Sequence, residues 1–164
     1  MSIIRNAANP VDEVAEANRN QIEFRGTWLG LIYDEMKNAG LDAEAILRRA
    51  TKRCGNIRGE NLKKKCADPN DCEEFMKIFP SALGLRTFNI NPINADKDNM
   101  RATFNYCPLV TAWQKLGFDD DTCNLLCDIA MDGDRGIAEA MGYKLNIEST
   151  IAQGCPGCKL HFHK

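Results

Sequence analysis

The sequence predicts an α+β fold: several helices packed on a small antiparallel sheet of about four strands, with a helical N-terminal half. Three observations lead there. Apolar residues recur at helical spacing over the first half, the second half carries short runs that alternate with period two, and no regular strand–helix–strand order links them. The 164 residues are read as one domain, a helical part over 1–80 and a sheet-and-helix part over 81–164.

Val11, Val14, Asn18, Ile22, Trp28 or Leu29, Ile32, Tyr33 and Met36 predict a long amphipathic helix from about Pro10 to Ala39, stopped by Gly40. Asp42 is the expected N-cap of a second helix carrying Ala45, Ile46, Leu47 and Ala50 and ending at Gly55. The polar, lysine-rich stretch Asn56 to Asp68 then reads as a loop. Asn70 and Glu73 resemble a capping box that opens a short helix through Phe79.

Thr87 to Asn91 and Arg101 to Tyr106 alternate as strands, joined by the turn-rich stretch Pro92 to Asn99. Pro108 ends the second strand and opens a helix carrying Leu109, Ala112, Trp113 and Leu116. Asp119, Asp120 and Asp121 begin the next helix, which Asp132-Gly133-Asp134 is expected to interrupt. Two further strands, Tyr143 to Glu148 and Cys158 to His163, complete the sheet.

The net charge of −2 gives no electrostatic reason to bind nucleic acid or an anionic membrane, and Lys63-Lys64-Lys65 reads as solvated surface. No segment approaches the roughly 18 apolar residues of a membrane span. The first ten residues carry no signal-peptide pattern, so a cytoplasmic chain with reduced thiols is expected. A small molecule is the expected partner, and a homo-oligomer is compatible with the sequence. The only histidines are His161 and His163, read as a solvent-facing pair near a frayed terminus. That scarcity leaves catalysis to cysteines, carboxylates or a cofactor.

Five of the eight cysteines fall between Cys107 and Cys158. Cys107, before Pro108, is the expected N-cap of a helix, where unpaired N–H groups and the helix dipole favour a thiolate. Cys123 and Cys127 share one helix face, an ordinary core pattern as much as a ligand pair. Cys155-x-x-Cys158 is half of a metal site. Completed by Cys107 and Cys127, it would hold zinc or an iron–sulfur cluster. Asp128 and Asp134 are the carboxylates placed to serve a thiolate as general base, while capping is the plainer role of Asp134.

The order Phe104-Asn105-Tyr106-Cys107-Pro108-Leu109, Ala112-Trp113, Leu116-Gly117, Leu126-Cys127-Asp128-Ile129, Asp134 and Gly154-x-x-x-Cys158 resembles the L-2-amino-thiazoline-4-carboxylic acid hydrolase family. The resemblance implies hydrolytic opening of a C–N bond in a small sulfur heterocycle bearing a carboxylate, with S-carbamoyl-cysteine as product. It carries the matching roles to Cys107, Cys127, Asp128, Asp134 and Cys158. Asn105 stands where many such sequences have histidine, and Cys155-Pro156-Gly157 is an insert. Both point to a different substrate or a metal-binding branch. The competing readings are a cysteine-ligated metal protein and a non-catalytic sensing domain on the same fold.

Overall fold

The protein is described from a computed structural model covering residues 2–164. Its helices are α1 (Glu13–Asn38), α2 (Ala43–Lys65), α3 (Cys72–Ile78), α4 (Ala82–Thr87), α5 (Pro108–Lys115) and α6 (Asp120–Met141). The strands are β1 (Ile90–Ala95), β2 (Asn99–Phe104), β3 (Lys144–Ser149) and β4 (Cys158–His163), with a 3-10 turn at Ile151–Gln153 before β4. They pair as one antiparallel sheet in the order β1-β2-β4-β3, giving an α+β architecture with a helical N-terminal half.

Aspartate and serine caps set most helix starts. Asp12 accepts from Ala15 N (3.0 Å), Asp42 from Ala45 N (3.1 Å) and Asp119 from Thr122 N (2.8 Å). The α3 cap is Asp71, which accepts from Glu73 N, rather than Asn70. Residues 82–86, given no element by sequence pattern, and Thr87, read as the start of a strand, form α4 behind the Ser81 cap. As a result the first strand runs later than expected, through Ala95, and the turn shrinks to Asp96–Asp98.

Two glycines read as stops are instead helix crossings. α2 runs through Gly55 and Gly59 to Lys65, so the expected loop over 56–68 is helix for most of its length. α6 runs unbroken through Asp132-Gly133-Asp134. A Cβ on Gly55 would lie 2.0 Å from the Gly133 carbonyl oxygen, and one on Gly136 would lie 2.5 Å from the Lys52 oxygen. The two backbones touch, and glycine is kept because no side chain fits between them.

α1 also departs from its apolar stripe. Its buried residues are Ala15, Arg19, Gly26, Gly30 and Tyr33, whereas Val14, Trp28 and Ile32 are exposed. Gly26 and Gly30 admit α5 and the loop behind it, and Trp113 Nε1 donates to Gly26 O across that contact (3.0 Å). Buried Arg19 donates to Thr87 O (2.9 Å) and Asn9 O (2.7 Å), tying α1 to α4 and to the N-terminal segment. A buried guanidinium is tolerated because these carbonyls receive its protons.

The helix side of the sheet is apolar. Met100, Ala102 and Phe104 of β2 lie opposite Phe162, Leu160 and Cys158 of β4, as period two requires. Phe75 of α3 fills the end of this layer, with ring centroids 5.3 Å from Phe79, 5.4 Å from Tyr143 and 5.5 Å from Phe162. Phe75→Ala should therefore cost about 3–5 kcal/mol of stability, read by chemical denaturation.

The histidines sit on the other side of the sheet. β4 lies between β2 and β3, so this is an interior strand and not a frayed end. His161 is buried, donates from Nε2 to Asn99 Oδ1 (2.8 Å) and stacks 4.7 Å from His163. The expectation of a solvent-facing pair fails at His161, which the neighbouring strands cover, while His163 stays half-exposed.

Candidate functional site

A cavity of about 430 Å³ lies between the helices and the sheet. Cys107, Cys127, Cys158 and Asp134 all line it, together with Arg25 and Arg58. They arrive from four elements and one junction: α1, α2, α6 and β4, and the turn into α5. The Gly55–Gly133 crossing places Asp134 of α6 beside Cys54 and Arg58 of α2 on the same wall.

Cys107 occupies the N-cap of α5, with Pro108 as the first helical residue, as the sequence predicts. Its backbone is gripped from the N-terminal segment: Asn6 Oδ1 accepts from Cys107 N (2.9 Å) and Asn6 Nδ2 donates to Cys107 O (2.8 Å). Asn6 Nδ2 also donates to Thr111 Oγ1 (3.0 Å). Sequence pattern gave no sign of Asn6, because its partners lie about a hundred residues away.

The thiolate expectation for Cys107 requires correction. Burial pushes its thiol up, while the N–H groups of Leu109 and Val110 and the charge of Arg25 pull it back only in part. Desolvation wins, and the resting group is a thiol. It needs a base before it can act as a nucleophile.

The neighbouring thiols are still less disposed to ionise. Burial pushes Cys158 up to about 12, and Ile151 N donates to its Sγ (3.2 Å). Cys127 is also raised well above the ordinary thiol range, by burial first and then by the nearness of Cys107 and Cys158. Both are 3–4 % exposed, whereas Cys107 is only half-buried and lines the cavity. Cys123 lies fully in the core, as the plainer reading of the Cys123–Cys127 pair has it.

Asp134 is the one carboxylate among the lining residues. Burial pushes it up to about 6, against the opposing pull of Arg58, Arg25 and Arg135. Such a group changes its proton near neutral pH, which suits proton transfer. Asp128 does not share the cavity. It is held by Arg135 Nη2 (2.6 Å) and Arg48 Nη2 (2.7 Å), and these outweigh burial to keep its carboxyl below the usual range. Together with Asp132, which is buried, it belongs to an ion-pair network that staples α2 to α6 away from this cavity. Sequence spacing alone could not tell the two faces of α6 apart.

The four-cysteine metal site is not assembled. Cys155 does not line the cavity that holds Cys107, Cys127 and Cys158. Among the described residues no group of three or more His, Cys, Asp or Glu is arranged to hold a metal ion. All eight cysteines are free. Asn105 also stands outside the cavity, donating to Asn89 O (2.9 Å) and Asn91 O (2.7 Å) to fasten the strand end.

Arg25 and Arg58 are the residues that sequence reasoning missed. Both lie on exposed stretches of long helices, where arginine ordinarily means a solvated face. Neither makes an ion pair among the described residues, and Arg58 lies over the Phe79 ring at 5.3 Å. The remaining walls are mainly apolar, with Phe79, Phe88, Phe104 and Trp113 prominent.

The fold and cavity define an α+β protein with a thiol–carboxylate pocket under a cationic mouth. The L-2-amino-thiazoline-4-carboxylic acid hydrolase family matches residues 19–162, and the chain belongs to that family. No curated protein and no solved structure matches the chain. Among the described residues, no helix is long and apolar enough to cross a membrane.

Proposed function

We propose that the protein hydrolyses a C–N bond of a cyclic amidine carboxylate, with Cys107 as nucleophile and Asp134 as proton carrier. The observation that carries this is the shared cavity. Cys107 presents a protonated thiol there, and Asp134 is the lining carboxylate whose proton moves near neutral pH.

The chemistry closes without a further reagent. Asp134 accepts the thiol proton as Sγ attacks C2 of the ring, making a tetrahedral adduct. That proton passes to the ring nitrogen, the C2–N bond breaks and the nitrogen leaves as an amine. C2 is then held between Sγ and the substrate sulfur as an iminodithiocarbonate, still bearing the exocyclic nitrogen. Water adds to C2, giving up its proton to Asp134, and Sγ is expelled and reprotonated. The product carries a carbamoyl group on its own sulfur. With 2-amino-thiazoline-4-carboxylate as substrate, S-carbamoyl-cysteine should accumulate with the wild-type protein, read by mass spectrometry. No product from any thiazoline carboxylate would overturn the reading.

A pH profile tests the role of Asp134. The base must be ionised, so kcat/KM should fall as pH drops through about 6. Asp134→Asn should remove that limb along with most of the turnover. Stability should move the other way. The native state binds a proton at Asp134 more tightly than the unfolded chain does, so this group lowers stability as pH rises from about 4 through 6. Asp134→Asn should thus raise the melting temperature at pH 7.5, by a gain of at most about 3 kcal/mol, and leave it little changed at pH 4.

A further inference from the structure

The cavity is large for the substrate that gives the family its name. A volume of about 430 Å³ falls in the range of about 300–1,000 Å³ that suits drug-sized ligands. A single thiazoline ring with an amino group and a carboxylate would leave much of it to water. The walls beyond the thiols are poor hosts for that water: Phe79, Phe88, Phe104, Trp113, Leu109 and Leu160 offer rings and aliphatic carbon. A small polar substrate would leave these surfaces unfilled and gain nothing from them.

The charges are unevenly placed. Arg25 and Arg58 reach the cavity from exposed positions on α1 and α2, while Cys127, Cys158 and Trp113 line its buried part. Two guanidiniums face the single carboxylate of Asp134, so the mouth keeps an excess of positive charge. Neither arginine is engaged in an ion pair among the described residues, and the Phe79 ring supports Arg58. Guanidinium groups held this way are suited to grip a planar carboxylate with paired hydrogen bonds.

We propose that the ligand of this cavity is a carboxylate with a bulky apolar body, larger than 2-amino-thiazoline-4-carboxylate, with Arg25 and Arg58 holding the carboxylate at the mouth. The aromatic walls take the body. This rests on the cavity of the hydrolase reading but not on its chemistry. The substrate class is then a ring-opening substrate substituted with an aromatic or aliphatic group, its reactive carbon directed at Cys107.

The test uses 4-phenylbutyrate, which has no ring to open and so reports binding alone. The wild-type protein is titrated by calorimetry with 4-phenylbutyrate, with its neutral amide and with 2-amino-thiazoline-4-carboxylate. 4-Phenylbutyrate should bind at least tenfold more tightly than either. Arg25→Gln combined with Arg58→Gln should weaken the carboxylate tenfold or more and leave the amide unchanged. Circular dichroism confirms that the double variant is folded, as expected for two exposed, unpaired side chains. Ala130→Phe, which fills the cavity from α6, should weaken both phenyl compounds. The proposal is overturned if the amide matches the carboxylate, if the parent thiazoline binds as tightly as 4-phenylbutyrate, or if the double variant binds it normally. Binding without turnover of any thiazoline would uphold this assignment and remove the hydrolase reading. Turnover of the parent compound without 4-phenylbutyrate binding would do the reverse.

Discussion

Cys107→Ala should lower hydrolytic turnover about a thousandfold or more while leaving the fold intact. The magnitude follows from losing the nucleophile of a covalent mechanism, where acid–base and binding contributions do not substitute for it. The fold should survive because the residue's backbone, not its sulfur, carries the structural contacts: Asn6 grips its N–H and carbonyl, and α5 begins at Pro108 regardless. The Sγ makes no capping hydrogen bond that alanine would forfeit. Initial rates paired with far-ultraviolet circular dichroism separate the two effects. Cys127→Ala and Cys158→Ala give the contrast, since both thiols are buried and strongly disfavoured as thiolates. They should alter stability more than turnover.

Gly55→Ala should be the most damaging single-methyl change in the protein. Its Cβ would sit 2.0 Å from the Gly133 oxygen and 2.8 Å from the Gly133 carbonyl carbon, both backbone atoms that cannot rotate away. Relief requires α2 and α6 to part, and overpacking of that kind costs about 3 kcal/mol or more. The same crossing aligns Cys54 and Arg58 with Asp134, so turnover should fall with stability. Gly133→Ala is the internal control. Its Cβ would meet only Thr51 Cγ2, at 3.7 Å, an ordinary contact. The change should be neutral or stabilise by up to about 1 kcal/mol through helix propensity. Urea denaturation of both variants measures the asymmetry. Equal effects would mean that the backbone contact does not hold the helices in place.

The same two glycines show where sequence reading falls short. In isolation Gly55 looks like a helix stop and Asp132-Gly133-Asp134 like a break, because local propensity is all that neighbouring residues reveal. The deciding partner lies on another helix. α1 teaches the same lesson from the opposite side: its large apolar residues are exposed, and small residues at Gly26 and Gly30 face α5. The strands 144–149 and 158–163 and the Pro108 helix start were legible, since alternation and proline act locally.

The site divides along the same line. Cys107 was visible through Pro108, and Asp134 through its proximity to the thiols, but Asp128 was indistinguishable from it until Arg48 and Arg135 took it to the outer face. Arg25 and Arg58 carried no local signal, because an exposed arginine on a helix is ordinary until a cavity opens beneath it. The thiolate inference failed on magnitude: the helix end does favour charge on Cys107, yet burial outweighs it.

The most direct test is acid quenching of the wild-type protein during turnover of 2-amino-thiazoline-4-carboxylate, followed by peptide mass mapping. Attack at C2 with ring opening adds one whole substrate molecule to the enzyme before water releases it. The account predicts that this mass increment maps to Cys107 and is absent from Cys107→Ala. An increment on Cys54, Cys127 or Cys158 with Cys107 unmodified would contradict it.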